Sequence, residues 1–384
     1  MPEPCFFIVA CEPSGDVLGA KIMRALRARL GGKVRFSGVG GERMESEGFH
    51  SLFPQSDLAL FGVFEVLPKI PMVLRRLEET ARAIREQKPS AVITIDGPDF
   101  SFRLAKKMKG SGIPFIHDVA PSVWAWRPGR ARKIARLYRH LLALLPFEPP
   151  YFEKENLGCT FTGHPVIEKI GNEEEAMRLR QRLGLAPQTK ILCVLPGSRR
   201  SEIKHLAPIF GKVLGRAKNK LGDAVVLVPT VPQVAKYLEP YLQSWPVKSI
   251  VLLDENEKYA AFRASHVALA ASGTVSLELA LAQVPHLVAY KLHWLTGLIY
   301  LILIRLKHFN LVNILLKRLE VPEFIQLNCT TDKITKGLLS LWSDEAARAH
   351  QRQAFLEVRK LLQVGTALPS EKAAEAICGV AGVC

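Results

Sequence analysis

The sequence predicts an α/β protein with two domains, each built on a parallel β-sheet. Short apolar runs of strand length alternate with segments in which apolar residues recur at helical spacing, along most of the 384 residues. Residues 6–10 are continuously apolar, which is typical of a strand buried on both faces, and residues 91–95 indicate another buried strand. The alternation pauses near residues 162–165 and resumes at residue 190. The pattern therefore favours two Rossmann-like domains that face a cleft.

Each half contains five predicted strands. In the first half they are residues 6–10, 33–40, 91–95, 114–119 and 141–145. In the second half they are residues 190–195, 224–228, 249–253, 267–270 and 286–289. Residues 17–30 and 72–87 have the apolar spacing of helices that cover a sheet. Parallel strands joined by helices are expected to have right-handed crossovers.

Composition and charge restrict the class of protein. Apolar residues make up 48% and charged residues 23%, which excludes a disordered or fibrous chain. The 52 Lys and Arg exceed the 36 Asp and Glu by 16 charges, which indicates an anionic partner: nucleic acid, a membrane surface or a phosphorylated ligand. The seven cysteines form no CxxC pair, so neither a disulfide framework nor a zinc ribbon is expected.

The sequence also predicts where the protein resides. No basic stretch precedes the first apolar run, so we expect no signal peptide and a cytoplasmic location. The longest membrane-like stretch, residues 292–304, has thirteen residues without an acidic or basic side chain (His293 taken as neutral), whereas a spanning helix needs about twenty. Cations and no acidic residue surround it, as expected of a segment in the headgroup region of a membrane. A buried helix is the alternative.

The loops after the predicted strands contain the candidate site residues, because ligands of open α/β sheets bind at the carboxyl ends of the strands. In the second half, the turn Ser272-Gly273-Thr274 followed by Glu278 suits a diphosphate and a ribose, or else is an ordinary helix cap. Arg199 and Arg200 follow an earlier Pro-Gly turn and could bind phosphate, or start a solvated helix. Neither GxGxxG nor a Walker A motif occurs.

In the first half, Asp96 and Asp99 flank a Gly-Pro turn after a buried strand. A carboxylate there could act as a general base for a hydroxyl, but Asp is equally common as a turn former. Residues 121–127 contain two Trp, and six Arg or Lys without an acid follow between residues 127 and 139. Such a segment suits nucleic acid, a membrane surface or core packing, and no recognised nucleic-acid motif accompanies it.

Taken together, the motifs in these loops carry a family resemblance. They are EPSGD at residues 12–16, DGPDF at 96–100, PSVWAWR at 121–127, PFE at 146–148, GHP at 163–165, PGSR at 196–199 and SGT at 272–274 with Glu278. From residue 12 to residue 328 the chain resembles the lipid-A-disaccharide synthases, a family of inverting bacterial glycosyltransferases. The PSVWAWR motif is highly specific, whereas PGSR and SGT are shared by many nucleotide-sugar enzymes.

The resemblance implies a GT-B fold. Its expected parts are an acceptor-side domain at residues 1–165, a UDP-sugar-binding domain at residues 166–345, and a helix at residues 346–384 that crosses back. The implied reaction transfers 2,3-diacylglucosamine from its UDP derivative to the 6-hydroxyl of 2,3-diacylglucosamine 1-phosphate. The product is β-1,6-linked, UDP leaves, and no metal or cofactor is needed. The expected partners are these two substrates, the cytoplasmic face of the inner membrane and a second copy of the chain, but not nucleic acid.

The resemblance also implies roles for individual residues. Asp96 would be the general base, with Asp99 as the alternative, and Arg199 would stabilise the leaving group. The implied UDP-binding residues are Ser198, Arg199, Ser272, Gly273, Thr274, Glu278 and Asn313. The implied acceptor-side residues are Glu12, Ser14, Asp16, Ser122, Trp124 and Arg127, of which Arg127 would meet the 1-phosphate. The expected membrane or acyl contacts are Trp294, Leu298, Ile299, Leu301 and Ile302, in a segment more apolar than is typical of the family.

Two other functions remain open at this point. A UDP-sugar 2-epimerase would share the fold and the nucleotide turns, but it would not need the apolar segment or the basic Trp-containing loop. A non-catalytic protein that binds anionic surfaces would use the net charge of +16. It would leave the Asp96 turn and the two nucleotide turns unexplained.

Overall fold

A computed structural model describes residues 3–58, 70–126, 129–168, 170–291 and 307–383 of the chain. The chain forms two compact units. The first comprises Met1–Pro165 and Leu362–Cys384, and the second comprises Val166–Leu361. Each unit contains one six-stranded sheet in which all strands are parallel, so the α/β prediction is confirmed.

The sheet of the first unit has the strand order β2-β1-β3-β4-β5-β6. Its strands are β1 (Cys5–Ala10), β2 (Arg35–Val39), β3 (Ala91–Ile95), β4 (Phe115–Asp118), β5 (His140–Ala143) and β6 (Gly158–Phe161). Its helices up to the second unit are α1 (Pro13–Arg29), α2 (Glu42–Glu45), α3 (Ile70–Gln87), α4 (Pro98–Lys107), α5 (Val123–Trp126), α6 (Arg130–Ala135) and α7 (Pro149–Glu153). Short 3-10 helices are formed by Gln55–Asp57 and Pro165–Glu168.

Both faces of this sheet are covered, which explains its continuously apolar strands. In β1, Phe6 and Ile8 pack with residues of α1 on one face, whereas Phe7 and Val9 pack with residues of α4 on the other. Successive side chains of a strand point to opposite faces, so a strand buried on both sides is apolar at most of its positions. All six residues of β1 are buried accordingly.

The sheet of the second unit has the order β12-β11-β10-β7-β8-β9. Its strands are β7 (Ile191–Leu195), β8 (Val225–Pro229), β9 (Ser249–Leu252), β10 (Val267–Ala271), β11 (His286–Tyr290) and β12 (Glu323–Ile325). Its helices are α8 (Glu173–Arg182), α9 (Arg200–Leu221), α10 (Pro232–Ser244), α11 (Glu255–Ala264), α12 (Val275–Leu281), α13 (Leu311–Leu316), α14 (Thr331–Ser343) and α15 (Glu345–Leu362). A 3-10 helix is formed by Gln326–Asn328.

All ten predicted strands are present, with ends that differ by no more than two residues from those expected. The sequence pattern did not predict β6 and β12. Both are short strands at the edge of a sheet, and their residues are mostly only partly buried. Edge strands therefore lack the continuous apolar run that identifies a central strand.

The last helix, α16 (Pro369–Ala381), returns to the first unit. Ala373, Ala374 and Ile377 join the core cluster that contains residues of α1. The returning segment begins at Leu362 rather than at residue 346, because α15 packs in the second unit. There the ring of Phe355 stacks on His286, with 5.2 Å between the ring centroids.

The strand orders locate the two places where ligands can bind. In the first unit the order reverses between β1 and β3, and in the second between β7 and β10. At such a switch point the loops leave in opposite directions and open a crevice at the carboxyl ends of the strands. The predicted site loops at residues 12–16, 96–99, 196–202 and 271–278 follow these four strands. Across the described ranges, no helix is both long and apolar enough to cross a bilayer.

Candidate functional site

A cavity of about 570 Å³ lies at the switch point of the second unit. Its wall is formed by loops after four strands of the sheet. They contribute Gly197–Arg199 after β7, Thr230–Gln233 after β8, Leu253–Glu255 after β9 and Ser272–Val275 after β10. Of the seven residues expected to bind UDP, six line this cavity: Ser198, Arg199, Ser272, Gly273, Thr274 and Glu278.

The turn after β7 positions Arg199 at the cavity. Gly197 has φ 124°, and a Cβ there would lie 2.4 Å from the Cβ of Glu202, so glycine is required. The Glu202 carboxylate accepts hydrogen bonds from the backbone N–H groups of Ser198, at 2.9 Å, and Arg199, at 3.3 Å. The Glu202 carboxylate therefore caps the N-terminus of α9. At this turn, the positive charge available to a ligand is that of the Arg199 side chain.

The two adjacent arginines have different surroundings. The Arg199 side chain is 70% exposed, and its Nη1 lies 3.8 Å from a carboxylate oxygen of Glu202. Such an exposed ion pair is weak, which leaves the guanidinium available to an anion. The Cζ of Arg200 instead lies 3.9 Å from the ring centroid of Tyr237, in cation–π geometry. The structure therefore separates an exposed arginine that lines the cavity from one that packs on the protein.

Glu278 is held in place by two side chains of α11. Its Oε2 lies 2.6 Å from Nζ of Lys258, and the hydroxyl of Tyr259 donates to its Oε1 at 3.3 Å. The Glu278 side chain is 12% exposed. Lys258 also lines the cavity, and the sequence analysis missed it because nothing local distinguishes it from other helical lysines.

Asn313, the seventh expected UDP-binding residue, does not line this cavity. Its side chain is fully buried, and Nδ2 donates to the carbonyl of Val321 at 2.8 Å and to Glu323 at 2.7 Å. Its Oδ1 accepts from the backbone N–H groups of Glu320 and Val321, both at 2.9 Å. The amide thus holds α13 against the segment that leads to β12, and its two donors and its acceptor oxygen are all engaged by the protein.

At the switch point of the first unit, Asp96 and Asp99 differ in exposure. Asp96 is half-buried directly after β3, and its Oδ1 accepts from the N–H of Gly97 at 2.9 Å. Asp99 is exposed in the first turn of α4. Both Asp96 and Gly97 have φ 52°, in the left-handed region that Asp tolerates better than most residues. The left-handed backbone and the hydrogen bond from Gly97 thus hold the Asp96 carboxylate at the carboxyl end of β3.

A second carboxyl group, Asp118, lies beside Asp96. Asp118 ends β4 opposite Ile95, and its carbonyl accepts from the N–H of Asp96 at 3.2 Å. Burial, assisted by the negative charge of Asp96, raises the pKa of the Asp118 carboxyl to about 7. The next residue, Val119, has φ 70°, which is rare for a β-branched residue. The sequence analysis missed Asp118 because no turn motif contains it.

The three residues expected on the acceptor side at the start of α1 have different surroundings. Asp16 is buried, and its carboxylate accepts from the N–H groups of Gly41, Arg43 and Met44 at 2.8–3.0 Å. It therefore caps α2 rather than facing a ligand, contrary to the expectation from the motif. Ser14 is exposed. Glu12 is half-buried, and its carbonyl accepts from Nε2 of Gln55 at 2.9 Å.

The Trp-containing loop follows β4. Ser122 is exposed, and Trp124 is half-buried on α5 with its indole N–H donated to Glu148 at 3.1 Å. Arg127 lies outside the described residues, as do Trp294, Leu298, Ile299, Leu301 and Ile302. Within the described part of the chain, no three His, Cys, Asp or Glu side chains are arranged to hold a metal ion.

Solved structures with this fold include several nucleotide-sugar proteins. The UDP co-structure of MnaA from S. aureus superposes with a TM-score of 0.68 at 13% identity, covering 100% of this chain and 98% of that chain. A Neisseria meningitidis UDP-GlcNAc 2-epimerase bound to UDP-GlcNAc has a TM-score of 0.62 at 14% identity, with 98% of each chain covered. At such low identities these similarities show the shared GT-B fold alone.

Sequence comparison is more specific. A family model described as lipid-A-disaccharide synthetase matches residues 6–377. A lipid-A-disaccharide synthase from Rhodospirillum centenum is 51% identical over 376 residues, which cover 97% of this chain and 94% of that protein. One from Paramagnetospirillum magneticum is 43% identical over 97% of this chain and 96% of that protein. The chain therefore belongs to the lipid-A-disaccharide synthetase family of glycosyltransferases.

Proposed function

We propose that the enzyme transfers 2,3-diacylglucosamine from its UDP derivative to the 6-hydroxyl of 2,3-diacylglucosamine 1-phosphate, with inversion and release of UDP. The observation that carries the proposal is the cavity at the switch point of the second unit, in a chain of this family. Its lining brings together residues from four strand ends. Such a site suits a nucleotide diphosphate at the carboxyl edge of a parallel sheet.

On the donor side, Arg199 and the turn Ser272-Gly273-Thr274 would hold the diphosphate, and Glu278 would accept hydrogen bonds from the ribose. A Cβ at Gly273 would meet no atom within 4 Å, so this turn leaves open space in the cavity wall. Arg199 supplies positive charge where negative charge develops as UDP departs. Asn313 has no part in this set, because its amide is engaged within the protein.

On the acceptor side, Asp96 would act as the general base. Its carboxylate takes the proton of the acceptor 6-hydroxyl, the oxygen attacks the anomeric carbon, and the bond to UDP breaks with its electron pair on the departing phosphate. Attack from the face opposite UDP gives inversion. The half-buried position of Asp96 supports this role over the exposed Asp99. Arg127 and the exposed Ser122 and Ser14 would contact the acceptor.

Because the substrates carry acyl chains, we also propose that the enzyme contacts the inner membrane. Each buried methylene contributes about 0.8 kcal/mol, so a fatty chain outweighs an exposed ion pair. The support is the sequence of residues 292–306, an apolar stretch followed by Lys307. Co-sedimentation with vesicles of anionic phospholipid, compared with neutral vesicles, tests this part separately from turnover.

The test of the reaction is release of UDP from UDP-2,3-diacylglucosamine, with and without 2,3-diacylglucosamine 1-phosphate, in detergent with EDTA. We expect release that depends on the acceptor, with a disaccharide product and no loss of rate in EDTA. Release without acceptor, or conversion of the donor sugar to its epimer, would contradict the transferase. A rate that EDTA abolishes and magnesium restores would contradict metal independence alone.

Replacing Glu278 with Gln is expected to weaken UDP binding on the order of tenfold, because the ribose hydroxyls lose a charged acceptor. Affinity for 2′,3′-dideoxyUDP should change far less, since that nucleotide has no hydroxyl to donate. Calorimetric titration of both nucleotides measures the difference. The control is Glu255→Gln, at an exposed position in the same cavity wall. Equal losses for both nucleotides would contradict the ribose contact.

A further inference from the structure

Glu148 is a buried carboxyl group to which neither the motifs nor the proposed reaction assigns a role. It follows β5 and is 3% exposed. Burial raises the pKa of its carboxyl to about 7, although hydrogen bonds from Trp124, Leu145 and Leu144 oppose the shift. A carboxyl group is costly to bury unless hydrogen bonds compensate it. Here several N–H groups donate to Glu148, and these hydrogen bonds fix the orientation of its carboxyl group.

The two oxygens of Glu148 join two loops at the carboxyl edge of the first sheet. Oε1 accepts from Nε1 of Trp124, on α5 after β4, at 3.1 Å. Oε2 accepts from the backbone N–H of Leu145, after β5, at 3.0 Å. Strands β4 and β5 are neighbours in the sheet. A single side chain therefore ties the Trp-containing loop to the end of the next strand.

The Trp124 ring is also held from a second direction. It packs edge-to-face on Phe147, with 5.1 Å between ring centroids and 87° between planes. Because its indole N–H is donated to Glu148, Trp124 does not offer that group to a substrate. Trp124 would contribute to acceptor binding by fixing the path of its loop. In this loop Ser122 is exposed, and Arg127 follows Trp124 by three residues.

We propose that Glu148 is a positioning residue that orients the Trp124 indole and thereby residues 121–126 for the acceptor sugar phosphate. The inference rests on the proposed function, which places this loop on the acceptor side. A carboxylate is suited to the task because both of its oxygens accept hydrogen bonds. Glutamine has the same shape, but its NH₂ group would face one of the two N–H donors.

The test measures KM for each substrate and kcat for Glu148→Gln, Trp124→Phe and the double variant. Trp124→Phe keeps an aromatic ring against Phe147 but removes the N–H donor. We expect each single variant to raise KM for the acceptor on the order of tenfold, with KM for the donor and the Kd of UDP unchanged. The double variant should raise KM for the acceptor no more than either single variant does, because all three variants remove the same hydrogen bond between Trp124 and Glu148. Glu153→Gln, at an exposed position on α7, is the matched control.

The outcomes separate this inference from the proposed function. An unchanged acceptor KM in folded single variants, additive losses in the double variant, or an equal rise of KM for the donor would each overturn the positioning role. If Glu148→Gln does not fold, Trp124→Phe gives the same test with Glu148 intact. Absence of acceptor-dependent UDP release in the wild-type enzyme would instead overturn the proposed function, which the single variants do not address.

Discussion

Replacing Asp96 with Asn is expected to lower kcat by about 10²–10⁴-fold and to leave the affinity for UDP unchanged. The loss is large because the amide cannot take the proton of the acceptor hydroxyl. UDP binding should persist, since the cavity proposed to bind UDP is formed by residues of the second unit. The local fold should also persist, because Asn tolerates the left-handed backbone at φ 52° and its Oδ1 can still accept from Gly97. Single-turnover rates and calorimetric titration of UDP measure the two quantities.

The matched control for this prediction is Asp99→Asn. Asp99 lies three residues later and is exposed, so its loss should change kcat by less than about twofold, as expected of a surface position. The pair of variants decides which carboxylate of the turn is the base. A large loss in Asp99→Asn with normal turnover in Asp96→Asn would reverse the assignment.

Replacing Arg199 with Ala is expected to lower kcat by about 10²–10³-fold and also to weaken UDP binding. The guanidinium would neutralise charge on the diphosphate in the bound state, and more so as UDP departs. The fold of the turn should be retained, because the Glu202 carboxylate caps α9 through the backbone N–H groups of residues 198 and 199. Steady-state UDP release and the Kd of UDP, measured across a range of ionic strength, test both effects.

Arg200 provides the control for the Arg199 prediction. It is the next residue and has the same charge, but its guanidinium packs on the ring of Tyr237. Arg200→Ala should therefore cost some thermal stability and leave kcat nearly unchanged. Equal effects of the two substitutions on UDP affinity would indicate a general effect of positive charge and would contradict a specific role for Arg199.

The two carboxyl groups near the acceptor loop show how the fold sets chemistry that sequence cannot reveal. Asp118 ends β4, Glu148 follows the neighbouring strand β5, and both are buried; burial raises the pKa of each carboxyl to about 7. Burial penalises the charged form of a carboxyl group, so both favour the protonated state relative to the unfolded chain. The contribution of each group to the free energy of unfolding therefore falls as the pH rises between pH 4.5 and 7.

The sequence by itself determined the class of fold, ten of the twelve described strands and the loops in which candidate ligand-binding residues occur. It could do so because a strand buried on both faces is mostly apolar, and because parallel strands present their following loops at one edge. The motifs in those loops also identified the family that the family model later confirmed. Six of the seven expected UDP-binding residues line one cavity for the same reason.

Only the tertiary structure decided what each polar side chain in those loops contacts. Asp16 and Asn313 belong to motifs of the family, yet Asp16 caps a helix and the Asn313 amide is engaged by the backbone and by Glu323. Lys258 and Glu148 belong to no predicted site, yet Lys258 holds Glu278 and Glu148 holds Trp124. The physical reason is that a side chain's partners come from segments distant in sequence. The local sequence pattern indicates which residue type a position requires. The packing of the whole chain decides whether the partner of that side chain is a ligand or another part of the protein.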